Sequence, residues 1–169
     1  EGFLISSFDN GLNWMKQKYV LGEGEHFISL LANNDYIYVR SNKGIYRFDK
    51  GLNLLNSLKD KILEIDYKKI PYNYFPSYIF GYSRTLFYYN NKLNKLMISC
   101  DNFPDGLALV SEDLTSLDTI NFNDKIYIKN SNYYILNIFT YEGKWLFNIS
   151  GNLYLADDSL TNWSYFFPD

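Results

Sequence analysis

The sequence, 169 residues long, has few of the side chains on which most active sites depend. It contains one cysteine, Cys100, and one histidine, His26. One cysteine cannot form an internal disulfide, and the pair cannot supply the four ligands of a structural zinc site. The Gly-x-Ser-x-Gly motif of serine hydrolases is absent as well. His26 stands beside Glu23 and Glu25 and is predicted to be an exposed residue at the entry to a strand.

Blocks of basic residues and long apolar runs are also missing. The longest Lys/Arg run is Lys68-Lys69, and the net charge is −3 with a pI near 5.2. A general nucleic-acid binder needs a basic surface that neutralises phosphates, so this class of partner is not expected. No apolar stretch approaches the length of a transmembrane helix, and no lipidation motif is present, so a membrane is not expected as a partner either.

Aromatic residues, in contrast, are abundant. They make up 20% of the chain, with 17 Tyr and 13 Phe, and they alternate with polar residues in short segments. β-Branched and aromatic side chains fit a pleated, half-buried surface, so these segments are predicted to be strands. The joint enrichment in Asn, Lys, Ile, Tyr and Phe is also what A/T-rich codons encode, which fits phages and low-GC bacteria.

One stretch, Ser7-Phe8-Asp9-Asn10-Gly11-Leu12-Asn13-Trp14, organises the rest of the sequence. A short Asp carboxylate can accept hydrogen bonds from nearby backbone N–H groups and so close a tight turn. Gly11 can supply a positive φ without a Cβ penalty. Trp14 is large enough to pack across the turn while its indole N–H finds a partner. The stretch therefore predicts a hairpin with a fastened end.

Weaker copies of this stretch recur at intervals near 40 residues. Phe48 to Leu54 matches Phe8 to Trp14 at an offset of 40 with two changes. Further copies lie around Asn90, Asp113 and Asp158, and the segment from Asp35 to Asp49 aligns without gaps on residues 76–90 and 144–158. Such a period indicates repeated supersecondary units, and its length suits a four-stranded propeller blade.

The Ser-x-Asp-x-Gly-x-x-Trp spacing resembles the Asp-box of sialidase-like β-propellers. The resemblance implies an all-β fold, a β-propeller or partial propeller of four-stranded antiparallel blades with about 40 residues per repeat. It also implies that the Asp-box residues hold hairpins at the blade periphery and do no chemistry. The structural turn residues predicted in this way are Ser7, Asp9, Gly11, Trp14, Asp49, Gly51, Asn90, Asp113, Asp158 and Trp163.

A single all-β repeat domain over residues 1–169 is predicted, with blade-like repeats at about 1–21, 22–58, 59–100, 101–124 and 125–169. Met97 to Cys100 could serve either of the two repeats that meet at residue 100. The first repeat has only the last two strands of a blade, whereas the last has four strand candidates. The chain is therefore expected to be part of a longer polypeptide.

The resemblance does not extend to the sialidase catalytic signature. Sialidases need three arginines on the substrate carboxylate, and this chain has only Arg40, Arg47 and Arg84. Lys69-Ile70-Pro71 is the nearest match to the Arg-Ile-Pro element of that family, and lysine lacks the bidentate guanidinium. Asp9, Asp157 and Asp158 could ligate Ca²⁺, but backbone N–H groups usually satisfy Asp-box carboxylates. No catalytic, cofactor or metal residue is predicted, and no cofactor is expected.

The predicted function is therefore a non-catalytic recognition module for glycan or for a protein partner, such as a phage tail protein or a secreted bacterial protein. Exposed aromatic faces stack on sugars and amides pair with hydroxyls, which selects Tyr72, Tyr74, Tyr133 and Tyr134 as ligand-binding candidates. Core or inter-blade packing explains the same residues. Two alternatives remain: a structural component of a virion-like assembly with neighbouring subunits, and a fragment of a glycoside hydrolase. The expected location is extracellular or virion-associated.

Overall fold

A computed structural model describes residues 2–65, 86–100, 103–126, 135–149 and 151–166; at 103–105, 135 and 136 it describes the backbone alone. The strands form four antiparallel sheets. Sheet 1 contains β1 (Gly2–Ser6) and β2 (Met15–Tyr19). Sheet 2 contains β3 (Phe27–Ala32), β4 (Ile37–Ser41), β5 (Ile45–Phe48) and β6 (Leu54–Leu58). Sheet 3 contains β7 (Phe87–Asn90), β8 (Lys95–Cys100), β9 (Phe103–Ser111) and β10 (Leu117–Asn121). Sheet 4 contains β11 (Ile135–Tyr141), β12 (Lys144–Ile149), β13 (Asn152–Ala156) and β14 (Trp163–Tyr165).

The predicted all-β class is confirmed. A short 3-10 helix, Phe122–Asp124, follows β10. No helix in the described residues has the length and apolar character needed to cross a membrane. Within every sheet the strands are adjacent in the order in which they occur along the chain. Each sheet is thus a simple meander whose connections are local.

Two of the sheets lie within single predicted repeats, whereas sheet 3 crosses a predicted repeat boundary. Sheet 2 lies wholly within the predicted repeat 22–58, and sheet 4 lies within 125–169. The boundary placed between residues 100 and 101 falls inside sheet 3, because β8 pairs with β9 from Lys95↔Ser111 to Cys100↔Phe103. Met97 to Cys100 therefore join strands on both sides of that boundary into one sheet.

The sheets are stacked face to face in chain order. Leu4 of sheet 1 packs in one apolar cluster with Val39, Tyr46 and Phe48 of sheet 2. The opposite face of sheet 2, with Tyr38 and Ile45, packs on sheet 3 through the side chains of Leu96, Ile98, Ala108 and Val110. The other face of sheet 3, with Met97, Leu107 and Leu109, packs on sheet 4 through Trp145, Phe147 and Tyr154. Strand alternation explains this, since neighbouring residues such as Met97 and Ile98 point to opposite faces.

Within the described residues, sheets 2 and 3 are consequently covered on both faces, whereas sheets 1 and 4 each pack against another sheet on one face. β8 shows the result directly, because Leu96, Met97 and Ile98 are all fully buried. Sheet 1 differs, since Leu4 is buried while Phe3 and Ile5 on its other face are 44% and 60% exposed. A fully buried Leu, Ile or Met contributes roughly 1.5–3 kcal/mol, so the two central sheets hold most of the apolar stabilisation.

Candidate functional site

The turn between β1 and β2 is closed by hydrogen bonds of the Ser7, Asp9, Asn13 and Trp14 side chains. Asp9 Oδ1 accepts hydrogen bonds from the backbone N–H of Asn13 at 2.8 Å and from the Ser7 hydroxyl at 2.8 Å. The Asn13 amide donates to the other carboxylate oxygen at 2.6 Å. Trp14 Nε1 donates to the carbonyl oxygen of Gly11 at 2.9 Å. The backbone and side-chain hydrogen bonds from Asn13 lower the pKa of Asp9, so its charge is stabilised within its own turn.

The turn between β5 and β6 repeats these contacts with a different backbone. Asp49 Oδ1 accepts from the Asn53 N–H at 2.8 Å, and the Asn53 amide donates to Oδ2 at 2.9 Å. Gly11 has a φ of 88°, as expected, but the positive φ of the second turn falls on Leu52, at 64°, instead of on Gly51. A Cβ on Gly51 would lie 3.3 Å from Asp49 Oδ1 and 3.2 Å from Asn53 Nδ2. Gly51 therefore makes room for the carboxylate and the amide that close the turn.

In the turns β5–β6, β9–β10 and β13–β14, a leucine in the left-handed conformation places its side chain in the core. Leu52, Leu114 and Leu160 have φ values of 64°, 61° and 59° and are 3%, 2% and 1% exposed. A non-glycine residue in this conformation costs about 1–2 kcal/mol, which burial of a leucine offsets. In each case the leucine joins the cluster on one face of its sheet. Leu12 of the first turn, however, is 83% exposed.

The turn around Asp113 is built on serine and threonine hydroxyls. Asp113 Oδ1 accepts from Thr115 Oγ1 and from Ser111 Oγ, both at 2.7 Å. Ser111 Oγ in turn accepts from the backbone N–H of Ser116 at 2.9 Å. The side-chain hydrogen bonds from Thr115 and Ser111 lower the pKa of Asp113 to about 2. Asp113 thus holds its hairpin as a carboxylate.

In the last turn the closing carboxylate is Asp157, one residue before the predicted Asp158. Asp157 Oδ1 accepts from the Thr161 N–H at 2.9 Å, and its Oδ2 accepts from Thr161 Oγ1 at 3.0 Å. Burial opposes ionisation of Asp157, but the hydrogen bonds from Thr161, Asn162 and Ser159 outweigh it and lower the pKa. Asp158 lies 3.6 Å from Lys92 in an ion pair. The sequence indicated Asp158 because it stands five residues before Trp163, as Asp9 stands five before Trp14, whereas the closing carboxylate lies six residues before the tryptophan.

Trp163 and Asn90 connect sheets 3 and 4. Trp163 Nε1 donates to the Leu160 carbonyl at 2.9 Å, and its ring lies 4.6 Å from Phe147 and 5.7 Å from Phe122. Asn90 Oδ1 accepts from the N–H groups of Lys92 and Leu93, both at 3.1 Å. The Asn90 amide donates to the Asp158 carbonyl at 2.8 Å. Asn90 thus closes a turn and also fastens it to the next sheet.

A buried carboxylate that the sequence did not single out ties the four strands of sheet 2 together. The Glu25 side chain is fully buried just before β3. It accepts from Ser41 Oγ at the end of β4 and from Tyr46 Oη in β5, both at 2.6 Å. Lys59, after β6, donates at 2.8 Å. Burial alone would raise the pKa of Glu25, but hydrogen bonds from Lys59, Ser41 and Tyr46 lower it to about 2.

A second polar group lies at the junction of sheets 2 and 3. Glu112 Oε1 accepts from Tyr89 Oη at 2.8 Å and from the Asn33 amide at 3.1 Å. Tyr89 is stacked on the buried Tyr38, with ring centroids 6.2 Å apart. Burial and the hydrogen bond to Glu112 raise the pKa of Tyr89 to about 12. Tyr89 is therefore a neutral donor at physiological pH, and the group joins the two sheets.

None of these groups forms a catalytic arrangement. His26 is exposed directly before β3, as predicted. Cys100 is buried. Among the residues that the structure describes, no three His, Cys, Asp or Glu side chains are grouped to hold a metal ion. Backbone and side-chain donors within the turns already occupy the carboxylates of Asp9, Asp49, Asp113 and Asp157.

The ligand-binding tyrosines proposed from the sequence lie outside the described residues. They are Tyr72, Tyr74, Tyr133 and Tyr134, and their assignment stays a prediction. Arg84 and Lys69-Ile70-Pro71 lie outside the described residues as well.

The outer face of sheet 4 is the best candidate contact surface. Phe139, Leu146 and Leu155 lie opposite one another on three adjacent strands and form a row across the sheet. Tyr141 and Leu153 lie on the same face by strand alternation. Phe139 and Tyr141 are 49% and 43% exposed. We call these five residues the sheet 4 outer face.

Comparison with known proteins leaves the family of the chain open. No family model matches the sequence, and no curated protein is detectably similar to it. Among solved structures, the fold is similar to that of the extracellular domain of a hybrid two-component system of B. thetaiotaomicron, with 12% sequence identity and a TM-score of 0.49. The similarity covers 83% of this chain and 16% of that one, so the chain spans a small part of the other protein's length.

Proposed function

We propose that the chain is a non-catalytic recognition module and that its stacked sheets are blades of an Asp-box β-propeller. The meander topology, the face-to-face stacking and the recurrence of one turn chemistry support the propeller. The carboxylates that could have served as catalytic groups instead hold hairpins or strands, which supports a role in binding.

Within this proposal, a protein partner fits the described surface better than a glycan does. The observation that carries this choice is the apolar row Phe139–Leu146–Leu155 on the sheet 4 outer face. The equivalent face of sheet 3 has the row Tyr88–Met97–Leu109, which sheet 4 covers. Large contiguous apolar patches on soluble proteins usually mark interaction sites. The polar side chains of the same face lie at the margins of this row: Lys144 opposite Tyr141, Asn148 opposite Leu153 and Ser164 beyond Leu155.

A photo-crosslinking experiment tests this assignment. p-Benzoylphenylalanine replaces Phe139 in one variant and the exposed Thr119 of β10 in a control variant. We expect the probe at position 139, but not at 119, to form a discrete adduct in extracts of the source organism. Excess unlabelled wild-type protein should suppress the adduct, whereas excess Phe139→Lys protein should not. Identical adducts from both positions, or no suppression, would refute the protein-binding surface.

A glycan array with the same proteins tests the alternative ligand class. The wild-type protein would then bind one sugar class, and Phe139→Lys would retain that binding. Loss of binding in Tyr72→Ala or Tyr133→Ala would indicate that the predicted tyrosines form the ligand site. An extracellular or virion-associated location stays a prediction, as does the role of a structural subunit with neighbouring copies.

A further inference from the structure

The turn between β1 and β2 contains the single Asn-Gly pair of the sequence, Asn10-Gly11. An Asn-Gly pair is chemically reactive, because the backbone nitrogen of the glycine can attack the side-chain amide carbon of the asparagine. Glycine has no Cβ to obstruct this approach. In a folded protein the reaction also requires an accessible asparagine with a free side chain and a backbone that can change its conformation.

The side chain of Asn10 meets the first two of these conditions. Asn10 is exposed, and no hydrogen bond within the described residues holds its side chain. The amides of Asn13, Asn53 and Asn162, in contrast, donate to the closing carboxylates of their turns at distances between 2.6 and 2.9 Å. Those bonds hold the amides in place, whereas Asn10 can turn its amide carbon towards the nitrogen of Gly11.

The backbone of the pair is left-handed and lies outside the core. Asn10 and Gly11 have φ values of 57° and 88°, in a region that asparagine and glycine enter more readily than other residues do. Leu12 and Trp14, which follow in the same turn, are 83% and 63% exposed. Segments with few buried contacts open at a small cost in free energy, so the turn can reach the geometry that the attack requires.

The turn between β5 and β6 provides a comparison within the same chain. Residues 48–53 match residues 8–13 at every position except one, where Lys50 takes the place of Asn10. Both turns are closed by the same two hydrogen bonds to the aspartate. Closure of the turn therefore does not require an asparagine at this position, and the reactive amide can be removed while the closing bonds are kept.

One hydrogen bond in the β1–β2 turn opposes the reaction. The Gly11 N–H donates to Ser7 Oγ at 2.7 Å, and the nitrogen must give up this proton to attack. Ser7 Oγ itself donates to Asp9 Oδ1 at 2.8 Å, so the hydroxyl is held where it accepts from Gly11. Loss of the Ser7 hydroxyl would free the nucleophile.

We propose that Asn10 is a site of spontaneous deamidation and that Ser7 restrains the reaction. The Gly11 nitrogen forms a bond to Cγ of Asn10, its proton leaves with the side-chain amide nitrogen as ammonia, and a succinimide ring results. Water then adds to one of the two carbonyl carbons of the ring, and the bond from that carbon to nitrogen breaks. Cleavage at Cγ leaves aspartate at position 10. Cleavage at the backbone carbonyl carbon leaves isoaspartate, through whose side chain the main chain then runs.

Either product alters the β1–β2 turn. Each adds a negative charge beside Asp9, in a chain whose net charge is already −3. Isoaspartate also adds a methylene group to the main chain, which moves Gly11 relative to its partners. The Gly11 N–H then no longer lies against Ser7 Oγ, nor the Gly11 carbonyl against Trp14 Nε1. The modification therefore loosens the end of this hairpin as the protein ages.

Ageing of the intact folded protein in mildly alkaline buffer tests the proposal. We expect peptide mass spectrometry to show a gain of one mass unit confined to the peptide that contains Asn10. Labelling by an isoaspartyl methyltransferase should identify isoaspartate there. A synthetic peptide of residues 5–15 gives the rate in the absence of the fold. The folded protein should react within about a hundredfold of that rate, because the exposed turn opens easily.

Two substitutions connect the reaction to the geometry of the turn. Asn10→Lys copies the β5–β6 turn and should abolish the modification. Ser7→Ala removes the acceptor of the Gly11 N–H and should accelerate the modification about threefold to tenfold, which corresponds to the net free energy of one hydrogen bond. Far-UV circular dichroism checks that both variants are folded, as expected for substitutions in an exposed turn.

Any of three outcomes would overturn the proposal: no mass gain in the aged wild type, equal gain at asparagines outside this turn, or the same rate in folded Ser7→Ala as in the wild type. The measurement involves no partner molecule. Its outcome is therefore independent of the sheet 4 outer face and of the proposed recognition function.

Discussion

The indole N–H of Trp163 donates a hydrogen bond to the carbonyl oxygen of Leu160, three residues earlier, at 2.9 Å. The same bond joins Trp14 to Gly11 at the other end of the described chain. The two turns have different surroundings, however. Leu160 is buried in a left-handed conformation and Trp163 packs on Phe147, whereas Leu12 and Trp14 are 83% and 63% exposed. The same indole-to-carbonyl hydrogen bond therefore occurs in a turn whose leucine and tryptophan are packed in the core and in one whose leucine and tryptophan are exposed.

Leu160→Ala should destabilise the protein much more than Leu12→Ala. The first substitution removes a fully buried side chain and keeps the strained φ, so we expect a loss of about 2–4 kcal/mol. The second removes an exposed side chain and should change the free energy of unfolding by less than about 0.5 kcal/mol. Equilibrium urea denaturation of the two variants measures the difference. Equal losses would mean that Leu160 does not anchor its turn.

Glu25→Gln should destabilise sheet 2 at neutral pH. The substitution keeps the shape but removes the charge that Lys59, Ser41 and Tyr46 stabilise. We expect a loss of about 1–3 kcal/mol, below the value for a fully buried ion pair because the Lys59 side chain is 50% exposed. Glu23→Gln, at an exposed position two residues earlier, is the matched control and should have little effect.

The effect of Glu25 should also depend on pH in a defined direction. The pKa of Glu25 is lowered to about 2 in the folded protein, whereas an unfolded glutamate titrates near 4.3. Its contribution is therefore complete above about pH 5 and is lost as the pH falls towards about 2. The stability difference between wild type and Glu25→Gln should shrink over this interval, as followed by urea denaturation at several pH values. A constant difference would contradict the assignment.

Gly44→Ala should be far more damaging than Gly143→Ala. A Cβ at position 44 would lie 2.3 Å from the carbonyl oxygen of Leu58, so the backbone of β6 would have to move. A Cβ at position 143 meets open space, and only its φ of 73° opposes alanine. We expect the latter substitution to cost about 1 kcal/mol and the former several times more. Thermal unfolding followed by far-UV circular dichroism compares them.

Cys100 provides an internal probe of the contact between sheets 2 and 3. The thiol is 4% exposed and belongs to the cluster between these sheets. We expect it to react with a thiol reagent such as DTNB only after the protein opens or unfolds. Leu96→Ala, in the same cluster, should increase the rate of reaction. Rapid labelling of the folded wild-type protein would show that the two sheets separate readily.

The sequence was most informative where a turn combined Asp with fixed partners. Asp9 and Asp49 each accept a hydrogen bond from a backbone N–H group a few residues later, that of Asn13 or Asn53. The last turn is closed by Asp157 instead of Asp158, because it has one more residue between the carboxylate and the tryptophan than the first turn has, and the motif spacing does not contain that residue. Glu25 was missed, since its donors come from positions 16, 21 and 34 residues away, and no local pattern contains them.

Because each sheet contains only consecutive strands and the sheets pack in chain order, every stabilising contact described above links near neighbours in the sequence or adjacent meanders. Such an architecture resembles a one-dimensional array in its energetics. A folded sheet provides the apolar face on which the next sheet packs. The sheets can therefore fold one after another from the N-terminal end while the rest of the chain is still being synthesised. The same locality should limit the spread of a destabilising substitution, since among the described residues sheet 4 packs on sheet 3 and shares no apolar cluster with sheet 1.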